Sequence, residues 1–300
     1  MSARLREGVA FATICLVWGS TYLAIKVGLE SFEPLPFAAV RYWVAAPLMG
    51  LWARANGVSL RFSPSRLWPV FGVGVLFIGL CNGMVFWAET RLDSAYTALL
   101  ITASPLWTAV LSALAGRWLP EDARLGFRGW VGVMLGFAGS LLLLLPSVTK
   151  AAHLAAALVV ELSVLVWAVG ALWVRHLRHR FHALEMATWQ MVSGASFLSL
   201  ASFLGGMPLL HAPLSGRALA ALAYLVVFGS VVAFAAYFYL LRVWPATRVA
   251  TSAYLNPVVA VVLGWVVLGE KVTPVTVLGA LLVLLGVSLV LGRHGQNQGG

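Results

Sequence analysis

Apolar residues run along this chain in long blocks, broken by short clusters of charge, proline and glycine. The blocks cover roughly 8–29, 35–53, 67–89, 94–116, 127–146, 153–174, 183–205, 218–241, 248–268 and 273–292. A helix that crosses a bilayer needs about 20 apolar residues. The pattern therefore predicts an all-α membrane protein with ten transmembrane helices joined by short loops. The first block is too long for a cleaved signal peptide and lacks a small-residue cleavage site, so it is expected to remain as a span.

Composition agrees with the pattern. The chain has 300 residues, 61% hydrophobic and only 10% charged, with a mean hydropathy of +0.92. Soluble domains run at roughly 45–50% and 25%. No soluble core of this length hides so much apolar surface, which excludes a soluble enzyme, a disordered chain and a secreted disulfide scaffold. The two cysteines, Cys15 and Cys81, lie in apolar blocks without a CxxC motif and read as small buried hydrophobes.

The net charge of +10 would suggest a nucleic-acid partner in a soluble protein. Here its distribution matters more. With a cytoplasmic N-terminus, the inner segments hold Arg4, Arg6, Arg54, Arg61, Arg66, Arg117, Arg124, Arg128, Arg175, Arg178, Arg180, Arg242, Arg248 and Arg293. The outer loops hold only Arg91, Lys150, Arg217 and Lys271. Basic residues near span ends favour the cytoplasm, so both termini are expected inside and no nucleic-acid partner is expected. The polar tail, 293–300, reads as disordered.

The two halves also resemble each other. Val17-Trp18 matches Val166-Trp167, an offset of 149 that also places Arg41 on Gln190. Phe86-Trp87 matches Phe238-Tyr239, and Ser104-Pro105 matches Asn256-Pro257, at an offset of 152. Glu121 and Glu270 follow in order, then Gly132 with Gly139 and Gly279 with Gly286. Five spans per half is an odd number, so the second copy must insert upside down relative to the first. Inverted repeats of this kind are frequent in secondary transporters, with the binding site near the midplane. The expected organisation is a first five-helix repeat over 1–146 and a second over 153–292.

The runs LVWGSTYLAIKVG and AYLNPVVAVVLGWVVLGEKVT, the latter followed by a helix bearing Gly279 and Gly286, resemble the EamA family of the drug/metabolite transporter superfamily. The first half carries a weaker copy, LLITASPLWTAVLSALAGRWLPED, with GRWLPED in place of LGEK. The resemblance implies ten helices, cytoplasmic termini, a bacterial inner-membrane location and alternating access. It also implies export of amino acids or related metabolites. Within the family the chain is similar to the aromatic amino acid exporters of the YddG type.

Polar groups inside a bilayer are costly and need a reason. Glu161 is about 12 Å into the sixth helix at 1.5 Å per residue, and reads either as a proton or substrate-amine site or as a structural hydrogen bond. Arg41, Glu89 and Lys26 crowd one outer third of the membrane. Arg41 and Glu89 are candidate gating residues as an ion pair; alternatively Arg41 meets a substrate carboxylate, while Lys26 snorkels to the surface. Gln190 replaces Arg41 in the second half, which would make the two gates unlike.

Neutral polar stripes recur at helical spacing: Trp18, Thr21, Tyr22 and Ile25; Asn82, Phe86 and Glu89; Ser94, Thr97, Ile101, Ser104 and Thr108; Ser230, Ala233 and Tyr237; Ser252 and Asn256. Such stripes line a wet cavity or bond helix to helix. Trp18 and Trp167 are candidate pocket walls, with core packing as the alternative. A zwitterion would find its carboxylate partner in Arg41, Asn256 or Gln190, and its amine partner in Glu161 or aromatic faces. Pro105 and Pro257 each remove a backbone hydrogen bond and are candidate hinges. Gly129, Gly132, Gly136 and Gly139 mark the fifth helix as a packing support or a homodimer surface, and the tenth shares that role.

The expected partners are a small-molecule substrate and the lipid bilayer. No cofactor or metal is expected. His176, His179 and His182 lack a completing carboxylate or thiol and sit among arginines. No P-loop, HExxH, GxSxG or intramembrane aspartate pair occurs, so the expectation is a non-enzyme. The competing classes are a membrane-embedded enzyme acting on lipid or peptide, and a channel.

Overall fold

A computed structural model describes residues 2–61, 63–115, 127–148, 151–177, 180–244, 249 and 252–291. The tail 293–300, Glu121, His179 and the basic loop residues Arg117, Arg124, Lys150, Arg178, Arg248 and Arg293 lie outside this set, as does the side chain of Pro105.

The described chain is almost wholly helical. α1 (Ala3–Gly28) and α2 (Pro34–Ala55) come first. α3 (Pro64–Gly74) passes through a π-helical stretch, Val75–Asn82, into α4 (Gly83–Glu89) without a break. Next come α5 (Ser94–Ile101), α6 (Ser104–Ala115), α7 (Phe127–Val148), α8 (Ala151–Leu177) and α9 (Ala183–Leu204). α10 (Gly216–Tyr224) passes through a second π-helical stretch, Leu225–Val232, into α11 (Ala233–Val243). α12 (Ser252–Leu268) and α13 (Pro274–Leu291) close the order.

Local sequence explains several ends. Pro34 and Pro64 stand in the first turns of α2 and α3, where a missing N–H is harmless. Ser2 and Ser215 accept from the amides of Leu5 and Ala218, capping α1 and α10. Gly269 takes φ +67° just beyond α12, a left-handed conformation that favours glycine. There Gly269 N–H donates to Trp265 C=O, and Glu270 N–H to Gly264 C=O. This closing turn leaves the Glu270 side chain free to cross to another helix.

Four stretches, Ala3–Gly28, Leu67–Glu89, Ala151–Val174 and Gly216–Leu240, are long and apolar enough to cross a membrane. Phe127–Leu143, Leu255–Leu268 and Pro274–Gly286 are shorter apolar helices. Large apolar side chains such as Leu16, Met134, Leu141, Phe203 and Trp265 point outward, as a lipid-facing surface requires.

One expected helix is not continuous. The block 94–116 breaks at Thr102–Ala103, so Pro105 stands in the first turn of α6 rather than mid-helix. There it removes no helical bond, and it disfavours helical geometry in the residue before it. Pro257, its repeat counterpart, does lie inside α12.

Helices from the two halves alternate in contact. α1 packs on α12 and on α10–α11, while α8 packs on α5–α6 and on the α3–α4 stretch. α2 lies along α9, with Trp43 Nε1 donating to Ser199 Oγ at 2.9 Å. α7 lies along α13, backbone on backbone: a Cβ on Gly139 would meet Gly279 C=O at 2.7 Å. Gly132, Gly136 and Gly139 of α7 are therefore in close contact with other helices of the same chain.

Candidate functional site

The second π-helical stretch packs on α2 and the first packs on α9 and α8. A π turn leaves carbonyls without their usual i+4 donors, so a nearby side chain has acceptors to satisfy. In the first stretch Asn82 Nδ2 donates to Phe77 C=O at 2.7 Å; in the second Ser230 Oγ donates to Leu225 C=O at 3.0 Å. Both bonds reach back five residues. The consecutive residues Arg41 and Tyr42 then join the two stretches. Tyr42 Oη donates to Asn82 Oδ1 at 2.9 Å, and Arg41 Nε donates to Ser230 Oγ at 2.9 Å.

Arg41 is only 3% exposed. Its guanidinium stands 4.8 Å from the Tyr42 ring centre and 5.9 Å from that of Phe86, both within cation–π range. No carboxylate among the described residues forms an ion pair with it. The space beside it is kept by Gly229: a Cβ there would meet Arg41 Nη2 at 3.1 Å and Thr21 Cγ2 at 3.0 Å. Trp18 lies one turn from Thr21 and packs against Phe234 and Tyr237, ring centres 5.7 and 5.1 Å away. The fold thus gathers Trp18, Thr21, Arg41, Asn82 and Tyr237 around the π stretches, and Tyr22 packs against the same apolar core.

Other candidates stand apart. Trp167 stacks on Phe77 of the first π stretch at 4.3 Å. Gln190 is fully buried beside Gly74 and neither end of its amide has a hydrogen-bond partner. Glu161 faces Trp107, whose Nε1 is 3.5 Å from one carboxylate oxygen, while the other is buried without a partner. Trp107 packs against a second apolar cluster around Leu100, Leu106 and Val160, and Glu161 is placed beside that cluster through its contact with Trp107. Ser104 begins α6 and its C=O accepts from Thr108. With its amide turned so that the nitrogen faces the carbonyls of Cys15 and Ser252, 3.1 Å from each, Asn256 bridges α12 to α1.

The expected Glu89–Arg41 ion pair is absent. Arg41 turns to Ser230, and both carboxylate oxygens of Glu89 are buried without hydrogen-bond partners. Lys26 does not snorkel to the surface: its Nζ donates to the carbonyls of Glu89 and Leu92, at 2.8 and 2.7 Å. Those carbonyls close the end of α4, where a cation is favoured.

Above this level a cavity of about 570 Å³ opens among the α1–α2, α4–α5 and α9–α10 turns, with Lys26, Glu33, Glu89, Arg91 and His211 in its lining. Its rim is strapped by an antiparallel bridge between Phe32 and Leu210. Glu33 N–H donates to Leu209 C=O and His211 N–H to Ser31 C=O, each at 3.1 Å.

Sequence reading placed Glu270 only as a marker of the repeat and missed what its side chain does. Glu270 accepts from Ser94 N–H and Ser94 Oγ at 2.8 and 2.7 Å, and from Ala95 N–H at 2.8 Å. It caps α5 from a residue 176 positions away. The local signal was an acid set directly after a helix-ending glycine.

The EamA-like transporter family model matches this chain twice, over residues 7–145 and 154–292. The "Uncharacterized inner membrane transporter YedA" of Escherichia coli (strain K12) is 33% identical, the alignment covering 96% of this chain and 91% of that protein. The "Probable terminal-alkyne amino-acid exporter" of Streptantibioticus cattleyicolor is 27% identical, covering 95% and 94%. A solved structure described only as a crystal structure of a protein superposes with a TM-score of 0.69 at 20% identity, covering 97% of this chain and 98% of that one. That last likeness concerns the fold alone.

Proposed function

Because the chain belongs to the EamA-like transporter family, we propose that it is an inner-membrane secondary transporter exporting amino acids or related small metabolites. One relative named as an inner membrane transporter and another named as an amino-acid exporter support this reading. In it, ten spans form two inverted repeats, 1–146 and 153–292, with both termini cytoplasmic and the tail 293–300 beyond them. The repeats rock about the enclosed site, exposing it to each side in turn.

The observation that carries the substrate class is Arg41. A buried guanidinium with no carboxylate partner among the described residues is costly, and a carboxylate brought by the substrate compensates it through bidentate bonds. The Trp18, Phe234 and Tyr237 rings beside it suit an apolar or aromatic substrate side chain. Asn82 and Ser230 supply short polar contacts at the same level. Glu161, Trp167, Gln190 and Asn256 belong to the walls or the inner half of the path, and Ser104 and Pro257 to its joints.

The test is flux in liposomes. Purified protein is expected to release preloaded L-leucine or L-phenylalanine faster than empty liposomes, with saturation and counterflow. Arg41→Gln is expected to cut that flux by about tenfold or more, the loss of one charge-assisted contact. A broad panel of amino acids and metabolites showing no flux above empty liposomes would overturn the proposal. Saturable counterflow separates a carrier from a channel.

A further inference from the structure

The cavity between the α1–α2, α4–α5 and α9–α10 turns has a floor group that the Arg41 site does not use. Glu89 closes α4, is 0% exposed, and lines the cavity. Neither of its carboxylate oxygens has a hydrogen-bond partner. Buried carboxylates without partners are rare, because each lost hydration bond must be replaced. The groups nearby do not replace it. Lys26 places its ammonium on the carbonyls of Glu89 and Leu92, so it adds compensating positive charge while leaving both buried carboxylate oxygens without a hydrogen bond. Arg91 lies over the Trp87 ring at 4.0 Å and donates to Thr90 Oγ1. His211 meets Leu29 C=O at 3.1 Å, and Glu30 pairs with Arg217 at 3.5 Å.

We propose that this vestibule is a binding site for a substrate ammonium group, with the Glu89 carboxylate as its acceptor. A primary ammonium carries three N–H donors and one positive charge, the complement of two unfilled carboxylate oxygens. Glu33, which lines the same cavity and leaves α2 uncapped by its side chain, adds negative potential at the entrance. The donor set is not that of a metal site: among the described residues no three His, Cys, Asp or Glu side chains group together. Glu89 lies one helical turn beyond Phe86, the ring under Arg41. The ammonium site and the carboxylate site are thus successive stations on one face of α4, with the ammonium site nearer the vestibule mouth. The inference rests on the amino-acid reading for its substrate and names the group that the vestibule recognises.

Calorimetric titration of the full chain in detergent with 3-methylbutylammonium, an amine without a carboxylate, tests the site apart from transport. Wild-type protein is expected to bind it saturably. Glu89→Gln is expected to weaken binding about tenfold or more, and Glu89→Asp by less, with thermal unfolding confirming that each variant folds. The N-trimethyl analogue, which has no N–H to donate, is expected to bind wild-type protein about tenfold more weakly, a comparison that needs no variant. Absent saturable binding, equal binding of the two amines, or a folded Glu89→Gln that binds within about twofold of wild type would each overturn the site. Saturable amine binding through Glu89 alongside zero flux of every amino acid tested would instead overturn the transport reading and leave the site standing.

Discussion

Glu270 does for α5 what a serine or aspartate usually does from within the same helix. Its two oxygens take three donors at a helix N-terminus, where the backbone amides are otherwise unpaired and the helix dipole favours negative charge. Glu270→Ala is expected to destabilise the protein by about 2–3 kcal/mol, read as a lowered unfolding midpoint in detergent. Glu270→Gln keeps one acceptor oxygen and is expected to lose about half as much. The residue scale also shows what a sequence exposes and what it hides. Arg41, Glu89, Glu161 and Gln190 stood out because a polar group in an apolar run has few innocent explanations. The partner of Arg41 did not: Ser230 lies 189 residues away, and no periodicity joins those two positions. Glu89 and Arg41 looked like a pair because their depths matched, yet depth fixes neither azimuth nor rotamer.

At the scale of elements, hydropathy marked the helical blocks well, because burial in lipid demands continuous apolar length. It was blind to the interior of those blocks. A π stretch changes hydrogen-bond register without changing composition, so Val75–Asn82 and Leu225–Val232 read as ordinary helix. The glycines of α7 were legible as a close-packing stripe, but not their partner, α13. That contact leaves no room: a Cβ on Gly139 would stand 2.7 Å from both Gly279 C=O and Val283 N. Gly139→Val is expected to force the helices apart, at a cost of about 1–3 kcal/mol. Gly8, in α1, has nothing within 4 Å, and Gly8→Ala is expected to be neutral or to stabilise by up to about 1 kcal/mol. Thermal unfolding of the two variants side by side checks both signs.

On the scale of the whole molecule, the α1–α2 and α9–α10 turns join the two halves at the vestibule rim. The hydrogen bonds flanking Phe32 and Leu210 make them a directly opposed, non-hydrogen-bonded pair. Such antiparallel pairs hold their Cα atoms about 4.5 Å apart, within disulfide reach. The double variant Phe32→Cys with Leu210→Cys is expected to oxidise readily, arrest flux in liposomes, and recover on reduction. Unchanged flux with the disulfide fully formed would show that the rim need not open during transport.

The break at Thr102–Ala103 has a mechanical consequence. α5 belongs to the first half by covalent chain, but its contacts are chiefly with α12 and α1, and its N-terminus is held by Glu270. α6, two residues later, lies on α8 instead. One segment is therefore clasped by two different neighbours, with a short non-helical link between them. In the proposed transport cycle α5 is expected to travel with α12 and α6 with α8, so that a displacement between those two helices, both of the second half, is taken up by the link as a swivel. On that reading the expected line of flexing runs through Thr102–Ala103 and between α12 and α8, inside the second repeat and not along the boundary between the two.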